Sequence, residues 1–181
     1  SDYKVGANGY IIFNNGICNS PFPAIPAAGG PNDYIAAMAT DLNFLGTGNN
    51  AECWTWTNLT DSVIISYINV PFWFNNTTTP YVGLNTFQMI LTSVDSSITF
   101  QYLDQQGASA AVADFVTIGI ENNTGAIGLQ HSTGIYPPVN YAVKFYYPAA
   151  TTLSIPDASA QYNVNETSGG IFLSQDGNPF Y

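Results

Sequence analysis

Short apolar segments separated by clusters of Asn, Gly and Pro constrain the fold of this 181-residue chain more than any other feature. Residues 62–70 (SVIISYINV) are β-branched and apolar on both faces, as in the central strand of a sandwich. Residues 86–93 and 97–103 alternate apolar and polar side chains, and the turn residues between them predict a hairpin. Further strand signals lie at residues 115–120 and 141–147. The pattern predicts an all-β fold, an antiparallel β-sandwich of two sheets with a jelly-roll or immunoglobulin-like architecture.

Two segments outside this pattern decide how the chain is divided. Residues 34–42 (YIAAMATDL) have enough Ala for a helix but no periodic apolar stripe, so we expect a buried strand. After Pro148 the strand pattern weakens, and only short candidates remain, at residues 151–155, 161–164 and 171–174. We therefore predict a β-sandwich domain over residues 1–148. Residues 149–181 are predicted to form a C-terminal β extension, or an arm exchanged between subunits.

Charge excludes two classes of partner. Charged residues make up 8% of the chain, the net charge is −10, and the only basic residues are Lys4 and Lys144. Binding to nucleic acid needs several Lys or Arg contacts to phosphates, and binding to anionic lipid needs a polybasic patch. No apolar run is long enough to predict insertion into a membrane. A polar but uncharged surface is typical of extracellular and assembling proteins, so we predict an extracellular or cell-surface location.

The chain offers two kinds of covalent modification. Cys18 and Cys53 are its only cysteines, and we predict one disulfide between them, with two free buried thiols as the alternative. Five Asn residues lie in N-x-[ST] sequences within loop-like segments and are candidates for N-glycosylation: Asn58, Asn75, Asn76, Asn122 and Asn165.

Catalytic chemistry has little support in the sequence. His131 is the only histidine, and the chain has no G-x-S-x-G sequence whose serine it could activate. A surface or structural role is therefore expected. Asp33 with Asp41, or Asp114 with Glu121, could meet across strands as acid/base pairs, but isolated acids more often serve turns and caps. We predict a protein that is not an enzyme and has no cofactor. Calcium stays open, with Asp33 and Asp41 as candidate ligands, because loop oxygens suffice to bind it.

Aromatic clusters give the most specific binding signal. Trp54 and Trp56 share one face of a strand by period two. Residues 72–74 (FWF) cannot all point to one side of a sheet, so at least one ring points outward or lies under a loop. We expect these rings to belong to the core. The alternative is an exposed Trp that stacks on a sugar or anchors a protein partner, with Trp54, Trp56 and Trp73 as ligand-binding candidates.

An ordered set of short motifs extends over about residues 3–147. They are NGYIIF at residues 8–13, IAAMATDL at 35–42, WTWT at 54–57, INVP at 68–71, NTFQMIL at 85–91, ITFQY at 98–102 and IGIENN at 118–123. Together they resemble the nidogen-like (NIDO-like) extracellular domain of secreted and surface proteins. The chain has ATDL at residues 39–42 where that family often has Trp-Asp-Asp-Leu. The resemblance implies an extracellular adhesion, matrix or binding role and no catalytic residues.

These observations predict a non-catalytic adhesion or structural module of a secreted or surface assembly, whose partners are other proteins or identical subunits. One alternative is a protomer of an extracellular filament or pilus assembled by strand exchange. Ile171, Phe172 and Leu173 would then pair with a neighbouring subunit. The second alternative is a carbohydrate-binding module that uses exposed Trp residues to bind glycans.

Overall fold

A computed structural model describes residues 2–14, 16, 22–74, 81–107, 116–146, 162–167 and 170–175. These residues form strands, turns and loops, and none of them is in a helix. The chain forms two compact units, Ser1–Phe145 and Tyr146–Tyr181. The predicted division after residue 148 lies outside the described residues.

The first unit consists of two antiparallel sheets of five strands each, which confirms the predicted β-sandwich. The small sheet has the order β1-β2-β3-β8-β9, and the large sheet has the order β10-β7-β6-β5-β4. The strands of the small sheet are β1 (Lys4–Gly6), β2 (Tyr10–Ile12), β3 (Tyr34–Ala39), β8 (Thr117–Glu121) and β9 (Gly128–Thr133). Those of the large sheet are β4 (Glu52–Thr57), β5 (Ser62–Trp73), β6 (Tyr81–Thr92), β7 (Ser97–Gln105) and β10 (Tyr141–Phe145).

The core lies between the two sheets and receives side chains from both. Every residue of β3 is buried, as a central strand covered on both faces requires, and the expected buried strand at residues 34–42 is confirmed over Tyr34–Ala39. The largest fully buried side chains of this core include Ile11, Met38 and Ile118 of the small sheet and Tyr67, Phe72 and Phe100 of the large sheet. The predicted turn at residues 94–96 joins β6 and β7, whose register runs from Thr92 opposite Ser97 to Asn85 opposite Gln105.

Two tyrosines connect the sheets by hydrogen bonds across the core. Tyr67 Oη donates to the carbonyl oxygen of Gly6 at 2.6 Å, and Tyr102 Oη donates to that of Ala37 at 2.5 Å. Both phenols are buried, and burial raises the pKa of each well above its usual value because the charged form would lose its hydration. Each tyrosine therefore fills core space and satisfies a backbone acceptor of the opposite sheet.

The described residues of the second unit form a hairpin, β11 (Tyr162–Thr167) paired antiparallel with β12 (Gly170–Gln175). The predicted subunit-contact residues Ile171, Phe172 and Leu173 lie in β12, where they pair with Glu166, Asn165 and Val164. Within the described ranges of the chain, no helix has the length and hydropathy needed to cross a bilayer.

Candidate functional site

The outer face of the large sheet carries the most exposed aromatic residues of the first unit's strands. On β5, Ile65 and Tyr67 are buried in the core, so the intervening residues Ile64 and Ser66 point away from it. Trp54 pairs with Ser66 and Trp56 pairs with Ile64. Both indoles therefore lie on the outer face, and we call Trp54 and Trp56 the indole pair.

The expectation that these two rings belong to the core is wrong. Trp54 is 61% exposed and Trp56 is 55% exposed. The physical reason is the position of β4 at the edge of the large sheet, where it has one neighbouring strand and all six of its residues are exposed. The two residues are one period apart on a strand, so their Cα atoms are separated by about 6.6 Å. The indole pair forms a short aromatic platform at the border of the sheet.

A carboxylate holds one ring of this platform in place. Trp54 Nε1 donates a hydrogen bond to Glu52 Oε2 at 2.8 Å, and Glu52 lies two residues earlier on the same face of β4. The bond satisfies the polar end of the indole and leaves its apolar face to solvent. Trp54 is thereby oriented before any ligand arrives.

A row of small and amide side chains runs from Trp54 across the whole outer face. The strand registers place Trp54, Ser66, Gln88, Gln101 and Ala142 side by side, and we call these five residues the outer row. Ser66 Oγ donates to Gln88 Oε1 at 3.4 Å, and Gln88 Nε2 donates to Gln101 Oε1 at 2.6 Å. Four interstrand steps make the row about 19 Å long. Side-chain hydrogen bonds therefore join its three central residues, and the row begins at an exposed indole.

A groove of 490 Å³ follows this row over β5, β6, β7 and β10. Its lining combines apolar and aromatic residues, among them Ile68, Leu103 and Tyr141, with the polar residues Ser66, Thr86, Gln88, Gln101 and Asn140, and none of its lining residues is charged. Amides and hydroxyls offer both donors and acceptors without attracting ions. The groove therefore suits a neutral ligand that carries many hydroxyl groups.

Trp73 does not belong to this site. It is half-buried at the end of β5, seven residues beyond Ser66 and past two shifts in the β5–β6 register, which places it about 23 Å along the strand. Its backbone N–H donates to the carbonyl oxygen of Asp41 at 2.9 Å. Of the three tryptophans singled out by sequence, the structure brings together Trp54 and Trp56 alone.

Cys53 lies between Glu52 and Trp54 on β4 and points to the opposite face of the sheet from the indole pair. It is exposed and forms no disulfide with any described residue, while partial burial of its thiol raises its pKa. Cys18 lies outside the described residues. The disulfide between Cys18 and Cys53 therefore stays a prediction.

The candidate calcium ligands lie at opposite ends of one strand. Asp33 directly precedes β3 and Asp41 follows it, so a strand's length separates them and they cannot hold one ion together. Among the described residues, no group of three or more His, Cys, Asp or Glu side chains is placed to bind a metal. Loop carbonyl and amide oxygens would have to supply any calcium site, which stays a prediction.

Two of the glycosylation candidates lie in ordered turns of the first unit. Asn58 Oδ1 accepts hydrogen bonds from the backbone N–H of Thr60, Asp61 and Ser62, and it shapes the exposed β4–β5 turn. Asn122 Oδ1 accepts from Thr124 Oγ1 at 3.1 Å in the turn after β8. Asn165 lies in β11, and Asn75 and Asn76 are outside the described residues. Glycosylation of these residues stays a prediction.

Two of the residues considered for catalysis, His131 and Glu121, lie in the described part of the chain. His131 is exposed on β9, with its Nε2 3.5 Å from Tyr141 Oη. Asp114 lies outside the described residues, so its pairing with Glu121 is not tested. Glu121 is 7% exposed, and its Oε2 accepts from the backbone N–H of Ala27 at 3.1 Å. Its Oε1 has no hydrogen-bond partner among the described residues, and burial raises its pKa.

Glu121→Gln is expected to stabilise the domain at neutral pH by up to about 1 kcal/mol, because it removes a poorly solvated charge. A carboxyl whose pKa is higher in the folded state binds its proton preferentially there. Stability should therefore rise as pH falls from neutral through the folded-state pKa, and the gain is complete below the unfolded-state value. Urea denaturation of both proteins at pH 7 and pH 4 measures this, and the difference should shrink at the lower pH.

Asp95→Asn serves as the control, because the contribution of Asp95 to stability changes with pH in the opposite direction. The ammonium of Lys144, 2.8 Å from Asp95 Oδ2, lowers the pKa of Asp95 to about 2. Its contribution is present at neutral pH and is lost as pH falls toward that value. A Glu121→Gln variant that is less stable by the same amount at both pH values would contradict the assignment of a buried charge.

Comparisons of the chain with protein-family models, with curated proteins and with solved structures found no match. The nidogen-like resemblance therefore rests on the ordered motifs of the sequence.

Proposed function

We propose that this domain is a non-catalytic adhesion module of a secreted or cell-surface protein, and that it binds a neutral glycan on the outer face of its large sheet. The observation that carries the proposal is an exposed indole, Trp54, whose strand partner Ser66 lines one end of an uncharged groove. Sugar rings have apolar faces that stack on aromatic rings, and their hydroxyls hydrogen-bond to amides and hydroxyls.

The dimensions of the groove support a ligand of several sugar rings. A volume of 490 Å³ lies within the usual range for small-molecule sites, which is roughly 300–1,000 Å³. The outer row gives Gln88 and Gln101 as the groups that would orient the hydroxyls, while Trp54 would stack on one ring. Charge also favours this ligand class, because a protein with net charge −10 repels acidic polymers.

The experiment uses the Trp73→Phe variant, in which all tryptophan emission comes from the indole pair. Titration with a panel of neutral oligosaccharides should shift this emission, because stacking removes the indoles from water. In the same background, Trp54→Ala or Trp56→Ala should each weaken binding about tenfold or more, which corresponds to about 1.4 kcal/mol. Isothermal titration calorimetry gives the affinities.

Val94→Ala is the matched control, because Val94 is an exposed apolar residue in the β6–β7 turn, outside the groove. It should leave binding unchanged. The proposal fails if no neutral oligosaccharide of the panel shifts the emission of Trp73→Phe, or if removal of both indoles leaves the affinity intact.

The filament alternative needs a free strand that one subunit donates to another. In the structure, Ile171, Phe172 and Leu173 are paired with β11 of their own hairpin. Strand donation would therefore have to begin by opening that hairpin, or use the other edge of β12. No observation favours this alternative over the glycan site, and it stays a prediction together with the extracellular location.

A further inference from the structure

The four edges of the two main sheets are protected unequally. Edge strands expose unpaired backbone groups, and proteins usually block them with short strands, lysines, prolines or bulges. Strand β1 has three residues and contains Lys4, and β10 contains Lys144. Strand β9 has a register shift opposite Ile118 and Gly119, where His131 is the extra residue of a bulge. The remaining edge is β4.

Strand β4 has none of these devices. Its six residues, ECWTWT, pair with β5 in an unbroken register and include no proline and no lysine. All six are exposed, so none of the described residues of the first unit covers this edge. A regular and nearly uncharged edge of this length is a template for pairing with another strand.

The hydrogen bonds around β5 identify the backbone groups that β4 leaves unpaired. Asn58 N donates to the carbonyl oxygen of Ser62 at 3.3 Å, which continues the β4–β5 register by one pair. Hydrogen-bonded pairs alternate along an antiparallel ladder, so Trp54 and Trp56 also direct their backbone groups toward β5. The intervening residues Cys53, Thr55 and Thr57 direct their N–H and C=O groups to the free edge.

We infer that β4 is a dimerisation strand, and that two copies of this protein pair their β4 strands antiparallel about a two-fold axis through Thr55. In this register Thr55 lies opposite itself and Cys53 lies opposite Thr57, and each pair exchanges two hydrogen bonds. Trp54 then lies opposite Trp56 of the second copy, in the closer, non-hydrogen-bonded type of pair that favours aromatic contact.

Self-pairing fits the charges of the strand. Glu52 is the only charged residue of β4, and the register places it opposite Asn58 of the second copy, so no two like charges meet across the new pair. The four indoles of the dimer would form one platform on a continuous outer face. The inference itself rests on the backbone edge and not on glycan binding.

Thr55→Pro tests the inference, because proline removes an N–H that faces the free edge and none that faces β5. Sedimentation of the full chain should show a monomer–dimer equilibrium for the wild type, and the variant should dimerise at least about tenfold more weakly. Thr55→Val keeps the N–H and should dimerise like the wild type. Added salt should tighten the dimer, since each copy has a net charge of −10.

Cross-linking gives a second test that does not depend on the fold tolerating proline. In a Cys18→Ser/Cys53→Ser background, Thr55→Cys should form an intermolecular disulfide on oxidation, since paired Cα atoms lie about 5.5 Å apart. Thr57→Cys in that background should not, because the two copies of residue 57 are about 13 Å apart. A wild type that stays monomeric up to about 1 mM overturns the inference. So does a dimer or larger assembly that persists in Thr55→Pro, or equal cross-linking at residues 55 and 57.

If Thr55→Pro abolishes the dimer but the monomer still binds glycan, the two proposals are independent. Loss of glycan binding in Gln101→Ala with an intact dimer gives the converse, because Gln101 lines the groove on β7, away from the β4 edge. Each proposal can therefore fail without the other.

Discussion

Gly9→Ala is expected to destabilise the domain by about 3 kcal/mol, one of the largest effects of any small substitution in this chain. Gly9 has φ +76, a conformation that residues with a Cβ rarely adopt. An added Cβ would also collide with the carbonyl oxygen of Met38, and it would lie only 2.9 Å from the carbonyl carbon of that residue. The turn cannot easily move away from β3, because Met38 N donates a hydrogen bond to the carbonyl oxygen of Gly9 at 3.1 Å.

Urea denaturation followed by fluorescence measures this effect as a lower midpoint with an unchanged slope. Gly29→Ala is the control, since Gly29 is exposed and a Cβ there would meet nothing within 4 Å. That variant should remain within about 0.5 kcal/mol of the wild type. Equal midpoints for Gly9→Ala and the wild type would show that the turn is not held against β3 in solution.

Tyr67→Ala should destabilise the domain by about 4 kcal/mol, because it empties a fully buried aromatic site between the sheets. The Tyr67 ring stacks on Phe87 with centroids 4.6 Å apart and planes 7° from parallel. Tyr67→Phe keeps this stacking and removes only the hydroxyl, which donates to the carbonyl oxygen of Gly6 at 2.6 Å and lies 3.4 Å from that of Tyr10, so it should destabilise by about 1–2 kcal/mol.

The pair of variants separates ring packing from hydrogen bonding at one position. Both are measured by denaturation, and a Phe variant as stable as the wild type would show that the hydrogen bonds of the Tyr67 hydroxyl contribute no net stability. Trp54→Ala, in contrast, should change glycan binding with little effect on stability, because Trp54 is exposed.

The strands of the first unit were largely predictable because they carry local signals. Residues 62–70 and 97–103 appear as the greater part of β5 and β7, since alternation and turn residues act within a few positions of each other. The buried strand at residues 34–42 was predicted because the segment lacks the periodic apolar stripe of a helix, and the structure shows it as β3. Asn8 and Gly9, which begin the NGYIIF motif, lie in the turn between β1 and β2.

The candidate site was only half predictable. Period two placed Trp54 and Trp56 on one face, and the structure confirms that relation. Their exposure depends on β4 being an edge strand, which follows from strand order and from nothing local. The outer row was missed, because Ser66, Gln88 and Gln101 lie far apart in sequence. Polar residues alternating with apolar ones in residues 86–93 and 97–103 were the available signal for an outer face.

The sequence by itself determined that this chain forms a β-sandwich and carries a net charge of −10, because strand periodicity and net charge are properties of neighbouring residues and of their sum. Only the tertiary structure decided which strand lies at an unprotected edge, which tryptophans face solvent and which amides line up across the sheet. Those properties depend on which strands become neighbours, and strand pairing joins residues that have no local relation in the chain.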